Sequence, residues 1–262
     1  HSGMAEIETR EVFTSAMTDV ITDVRGKSNE TLLNITENIR SEYENNKAVS
    51  LDDLAVKYNV IEINIVDSQG IVINSTLDEL IGTFDMNSTE QSKEFMVLTG
   101  DETEFVQLYS PQGIDGVTMR KYAGISLANG GFIQVGYDAD QFHNMLDDFV
   151  IDVTKNRHVG STGFVAVCDE NLNLVTNTKR NGMHISTIGI IPDEVMLDGK
   201  TATQLYRTNI INEETNFSEE YIYAFTFVEG YCIIAAMPFA EAMLMRDASL
   251  YTSIFMQVLI FA

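Results

Sequence analysis

Ile63-Asn-Ile-Val-Asp-Ser-Gln-Gly-Ile-Val-Ile-Asn-Ser-Thr76 and, far downstream, Val165-Ala-Val-Cys-Asp-Glu-Asn-Leu-Asn-Leu-Val-Thr-Asn-Thr178 carry one pattern. Asp67 aligns with Asp169, Val66 with Cys168, Ile73 with Val175 and Thr76 with Thr178, at a constant spacing and without a gap. Each copy reads as an apolar strand, a polar turn that begins at Asp, and a second strand. That is the pattern of a hairpin opening a small antiparallel sheet. The stretch therefore marks a duplicated module.

The duplication extends to the closing strands. Gly130-Gly-Phe-Ile-Gln-Val-Gly-Tyr137 aligns with Glu229-Gly-Tyr-Cys-Ile-Ile-Ala-Ala236, and a partner strand precedes each, Met119–Leu127 and Glu220–Phe227. Tight turns at Asn129-Gly130 and Glu229-Gly230 join them. The expected fold class is α+β: two tandem modules of roughly a hundred residues, each a central antiparallel sheet with flanking helices.

The rest of the chain falls around these modules. Residues 1–3 resemble a tag remnant before Met4, and 4–48 form a long N-terminal helix. The first module is expected over 49–145 and the second over 146–248. Residues 249–262 become almost wholly apolar, shorter than the ~20 residues that span a bilayer, and are expected to begin a transmembrane helix or to form a buried terminal helix.

In the helical segment Phe13, Met17, Val20, Val24, Leu32, Ile35, Ile39 and Tyr43 recur near helical spacing with no proline from Glu6 to Asn45. A helix of that length reaches about 60 Å, enough to run beside both modules, with a local bend expected at Gly26. Its stripe serves a core, a parallel dimer seam, or both. Ser50-Leu-Asp-Asp53 predicts a capped short helix to Tyr58. Further on, Thr89–Leu98 predicts a helix, Glu104–Tyr109 a strand, and Asp140 the cap of a helix running to Lys155.

A formal net charge of −23, with only 16 Lys and Arg in 262 residues, excludes nucleic acid as a partner and disfavours an anionic membrane surface. With 45% hydrophobic residues the chain has enough apolar matter for sizeable cores. Cys168 and Cys232 lie in apolar strands, as buried free thiols or, if those strands are neighbours, as a disulfide.

Strand alternation separates the two faces of the first sheet. Ile133, Val135, Tyr137, Lys121, Ala123 and Ile125 share a largely aliphatic face suited to the long helix. The opposite face gathers Arg120, Tyr122, Gln107, Tyr109, Gln134 and Asp138, with Gly124 and Gly136 leaving room for close approach. A guanidinium holds a carboxylate in a bidentate fork and an acid accepts from an ammonium, so this set suits an amino acid or another small carboxylate or amine. An internal Arg120–Asp138 ion pair is the other reading of the same residues. The matching stretches of the second module, Tyr221–Phe227 and Gly230–Met237, offer no arginine or acid, which fits a packed, transmitting role.

No catalytic constellation stands out. His143, His158 and His184 have no partner at a catalytic or zinc-site spacing, and Asp138, Asp140 and His143 read as a strand end and a helix cap rather than metal ligands. No cofactor is expected, and neither a phosphate loop nor a nucleophile elbow is present.

The order of parts, with the Val159-Gly-Ser-Thr-Gly-Phe-Val-Ala-Val-Cys-Asp169 lead-in to the second module, resembles the double Cache, or tandem PAS-like, sensor domains of bacterial transmembrane receptors. The resemblance implies an extracellular or periplasmic, usually dimeric region held between transmembrane helices. It implies a small-molecule site in the membrane-distal first module and no enzymatic activity in this region. Amino-acid-binding members carry an Arg-x-Trp-Tyr element before the third strand. The corresponding stretch here is Ser92-Lys-Glu-Phe95, which keeps only an aromatic, Phe95, in a chain without tryptophan.

Overall fold

A computed structural model of the chain describes residues 2–111, 118–202, 204–211, 217–245 and 247. The expected apolar terminal segment 249–262 lies outside them. The fold is α+β, and the chain divides into two compact units. One spans Gly26–Leu146; the other combines the chain up to Arg25 with the chain from Asp147 onward. Helix α1, Ser2–Asn45, contributes to both, and the division falls at Gly26.

Within α1, Phe13, Val20 and Val24 are buried, as are Leu32, Ile39 and Tyr43. Ser28 and Thr36 are buried too, whereas Ile35, which the periodicity puts on the stripe, is only half-buried. The two hydroxyls are admitted because each has a partner. Thr36 Oγ1 donates to Leu32 O at 2.8 Å, and Ser28 Oγ accepts from the buried Lys121 Nζ at 2.8 Å. A buried ammonium needs such acceptors to offset its lost hydration.

In the unit Gly26–Leu146, α2 (Leu51–Tyr58) starts at Ser50, whose hydroxyl accepts from Asp53 N as the capping box predicts. Six strands follow: β1 Glu62–Val66, β2 Val72–Ser75, β3 Glu104–Val106, β4 Ser110–Pro111, β5 Met119–Ser126 and β6 Phe132–Asp138. They form an antiparallel sheet of order β2-β1-β6-β5-β3, with β4 also on β5. The helix expected over Thr89–Leu98 is one α turn, α3 (Glu90–Lys93), continued as a 3₁₀ helix over Glu94–Thr99. The strand expected to reach Tyr109 ends at Val106. Helix α4, Ala139–Thr154, is capped by Asp138, which accepts from Gln141 N at 2.8 Å, and not by Asp140.

The other unit holds β7 (Phe164–Cys168), α5 (Glu194–Leu197), β8 (Tyr206–Ile211), β9 (Ser218–Val228) and β10 (Tyr231–Pro238), with sheet order β7-β10-β9-β8. The duplication is visible bond by bond. Asp67 Oδ1 accepts from Gln69 N and Ile71 N, and Asp169 Oδ1 from Asn171 N and Asn173 N. Gly70 and its equivalent Leu172 both have positive φ, 93° and 61°. The registers Val66↔Phe132 and Cys168↔Cys232 equate Gly130 with Gly230, one residue away from the alignment of Gly130 with Glu229. Both glycines take positive φ in the turn, 83° and 79°, which explains why turn geometry and not residue likeness sets this register. Cys168 and Cys232 face each other across β7 and β10 as free, buried thiols.

Candidate ligand-binding site

The register of the first sheet lays its polar face out in rows. Tyr122, Gly136 and Glu62 form one row across β5, β6 and β1; Gly124, Gln134, Asn64 and Ser75 form the next, extending to β2. Gly136 has no side chain, so the Tyr122 ring lies over it: a Cβ there would stand 2.6 Å from Tyr122 Cε1 and 3.2 Å from Glu62 Cβ. The phenol thereby reaches Glu62, donating to Oε2 at 2.9 Å. Arg120 Nη1 donates to both, at 3.2 Å to Glu62 Oε2 and 3.2 Å to Tyr122 Oη.

The second row continues the network. Asn64 Nδ2 donates to Glu62 Oε1 at 2.7 Å and to Gln134 Oε1 at 3.0 Å, while Ser75 Oγ donates to Asn64 Oδ1 at 2.6 Å. Glu62, Asn64, Ser75 and Gln134 are all buried. Arg120, with 27% of its side chain exposed, is the more open member of its ion pair with Glu62 (7%). Burial first, and the Glu62 carboxylate second, push the Tyr122 phenol well above its usual range, so it remains a donor. A buried carboxylate, an accessible guanidinium, a phenol and two amides thus converge on one side of the sheet.

The other expected residues have different surroundings. Phe95 is fully buried against Phe105 (ring centroids 4.9 Å) and Phe132 (6.3 Å). With Leu98 it occupies the space over Gly124, where a Cβ would lie 2.7 Å from Leu98 Cδ1 and 2.9 Å from Phe95 Cδ1. Gln107 Nε2 donates to Gln91 O and Glu94 Oε2, tying the chain after β3 to α3. Tyr109 stacks on Phe142 of α4 at 5.1 Å and lies beside His143. Asp138 stands opposite Arg120 in register, yet it caps α4, and among the described residues the acid paired with the Arg120 guanidinium is Glu62.

Glu62, Asn64 and Ser75 join the cluster without having been among the residues expected there. Their signal is present in the chain, because Glu62 and Asn64 alternate with Ile61, Ile63 and Ile65, and polar residues alternating with β-branched ones mark a second face. At the equivalent positions of the other unit stand Phe164, Ala166, Tyr221 and Ile234, set by the pairings Phe164↔Ala236, Ala166↔Ile234 and Pro238↔Tyr221. The carboxylate, the guanidinium and the two amides of the set belong to the first unit, whereas Tyr122 has a counterpart in Tyr223, paired with Ala236 as Tyr122 is with Gly136. Among the described residues no group of His, Cys, Asp and Glu is placed to hold a metal ion.

No protein-family model matches the chain, and no curated protein matches it. Among solved structures, the ligand-binding domain of the Campylobacter jejuni chemoreceptor Tlp3, in complex with 4-methylisoleucine, is similar at 12% identity and a TM-score of 0.43, covering 92% of this chain and 93% of that one. The ligand-binding domain of the Pseudomonas aeruginosa PAO1 amino acid chemoreceptor PctB with L-Gln is similar at 9% identity and a TM-score of 0.39, over 88% and 91% of the two chains. That of Mlp24 with asparagine is similar at 12% identity and a TM-score of 0.39, over 93% and 99%. At TM-scores below 0.5, these likenesses do not bear on the ligand or on the residues that would hold it.

Proposed function

We propose that the chain is a double Cache-type extracytoplasmic sensor region of a bacterial transmembrane receptor, binding a small polar molecule in its first module and performing no catalysis. The observation that carries the reading is the cluster of buried Glu62 and Tyr122 with half-buried Arg120, continued through Asn64, Gln134 and Ser75. An amino acid brings a carboxylate for Arg120 and an ammonium for Glu62, so it can exchange internal pairings for its own. Such a ligand acts by favouring one of two arrangements of the cluster, shifting their populations. The duplicated hairpins and the two antiparallel sheets support the architecture. The modules 49–145 and 146–248 take the membrane-distal and membrane-proximal roles, with residues 249–262 leading into the membrane. Among the described residues no helix is long and apolar enough to cross a membrane. A homodimer through α1 would use its exposed faces, since the apolar stripe is buried within the chain itself.

A ligand-free dimerisation or adaptor ectodomain is the second reading. It is favoured by the way the face satisfies itself, with Phe95 over Gly124 and Tyr122 over Gly136. Thermal-shift screening against amino acids, small carboxylates, amines, nucleobases and sugars separates the two. A ligand at a hundredfold excess over Kd adds about 2.7 kcal/mol of stability, which is readily seen. The sensor reading expects a shift in the wild type that is lost in both Arg120→Ala and Glu62→Gln. A wild type unmoved by every compound supports the adaptor.

A further inference from the structure

The second unit contains a cavity of about 410 Å³ that the first module's polar face does not explain. It arises where the two sheets differ. In the first, β1 is bordered by β2 through the pairs Asn64↔Ser75, Ile65↔Asn74 and Val66↔Val72. In the second, the edge of β7 away from β10 keeps, among the described residues, the bridge Cys168↔Leu174 and the bond from Val175 N to Val167 O. The chain then leaves the edge in a turn held by its own side chains: Thr176 N donates to Asn181 Oδ1, Thr178 N to Thr176 Oγ1, and Arg180 N to Thr178 Oγ1. The space vacated beside β7 is the cavity, and its size lies within the roughly 300–1,000 Å³ of small-molecule sites.

We infer that this cavity binds a small organic monocarboxylate with a short apolar tail. Its floor is aliphatic and aromatic, including Ile151, Phe164, Ala166 and Ile210. Its cations are Lys155, Arg157 and Arg180, a concentration of positive charge in a chain of net charge −23. Two of these are already neutralised, Lys155 by Asp152 and Arg157 by Asp19 and Asp23. Arg180 is different. It donates Nη1 to Ile211 O at 2.9 Å and makes no ion pair among the described residues, so a half-buried guanidinium keeps its charge and most of its five donors for an anion. The hydroxyls of Thr176 and Thr178 act as acceptors toward the turn, which leaves their O–H groups to donate beside Arg180. Glu219, exposed and also lining the cavity, opposes a second negative charge and selects a monoanion over a phosphate or dicarboxylate.

The test is calorimetric titration of the chain with butanoate, hexanoate and benzoate, and with hexanol and hexylamine as neutral and cationic counterparts. The carboxylates bind the wild type and Arg120→Ala alike, while Arg180→Gln loses about ten- to hundredfold in affinity, the cost of one charged hydrogen-bonding group. Ala166→Leu, which fills the floor and leaves Arg180 intact, also weakens binding, and it decides the matter alone if Arg180→Gln fails to fold. Carboxylate binding unchanged in these variants, equal binding of hexanol or hexylamine, or no binding at all overturns the assignment. Loss of amino acid binding in Arg120→Ala with carboxylate binding intact keeps this site distinct from the one on the first module.

Discussion

Tyr122 and Glu62 meet across Gly136, phenol oxygen to carboxylate oxygen at 2.9 Å, because the residue between their strands has no side chain to keep them apart. Gly136 is thus an enabling residue for the polar cluster. Its φ is ordinary; what matters is the space above it.

Gly136→Ala therefore displaces the Tyr122 ring and breaks its bond to Glu62. Overpacking and one lost buried hydrogen bond together cost about 1–4 kcal/mol. Urea unfolding reads this as a lower midpoint at unchanged slope; a midpoint like the wild type's would show that the ring can move aside freely.

Arg120 and Glu62 should couple. Arg120→Met strands the buried Glu62 carboxylate beside Tyr122, whereas adding Glu62→Gln removes the stranded charge. The double variant is expected to be more stable than Arg120→Met alone, with a coupling of about 0.5–3 kcal/mol in a double-mutant cycle. Strictly additive losses would mean the pair contributes no mutual stabilisation.

Leu172 holds a left-handed φ of 61° where the first module has Gly70, and it is buried in the second core. Packing outweighs the backbone cost here. Leu172→Ala keeps the strained backbone and loses the contacts, at about 2–5 kcal/mol. Leu172→Gly loses slightly more surface but relieves the strain, so it should be no worse than alanine, whereas glycine at an ordinary strand position is worse by about 0.5–1 kcal/mol. Chemical denaturation of both variants measures the difference.

The thiols give a pH dependence. Burial pushes Cys232 up to about 12 and raises Cys168 further, the latter also because of Cys232 opposite it. Both are raised above the unfolded value near 9, so their contribution to stability is complete below pH 9 and declines as pH rises from there toward 12. Iodoacetamide at pH 8 should leave the native chain unlabelled and modify both cysteines in denaturant. Rapid labelling of the native chain would contradict their burial.

Much of the architecture was legible because it depends on local chemistry that repeats. The Asp67 and Asp169 turns, the Ser50 cap and the helical stripe from Phe13 to Tyr43 each depend on residues within a few positions of one another. Arg120, Tyr122 and Gln134 were placed on one face by alternation alone, and they do share a network with the buried polar residues there. Alternation says nothing about where a side chain's end goes. Asp138 is opposite Arg120 in register but turns to the α4 amide of Gln141, and Phe95 and Tyr122 take the space that Gly124 and Gly136 had opened.

The amino-acid sequence by itself determined the duplicated hairpin modules, the long helix and the polar character of one sheet face, since these follow from periodicity, turn chemistry and residue type along the chain. Only the tertiary structure decided that Glu62 is a partner of Arg120, that the closing strands align at Gly130 and Gly230, and that β7 borders a cavity. Those outcomes depend on strand register and on side chains competing for one space, and both are settled between residues far apart in the chain.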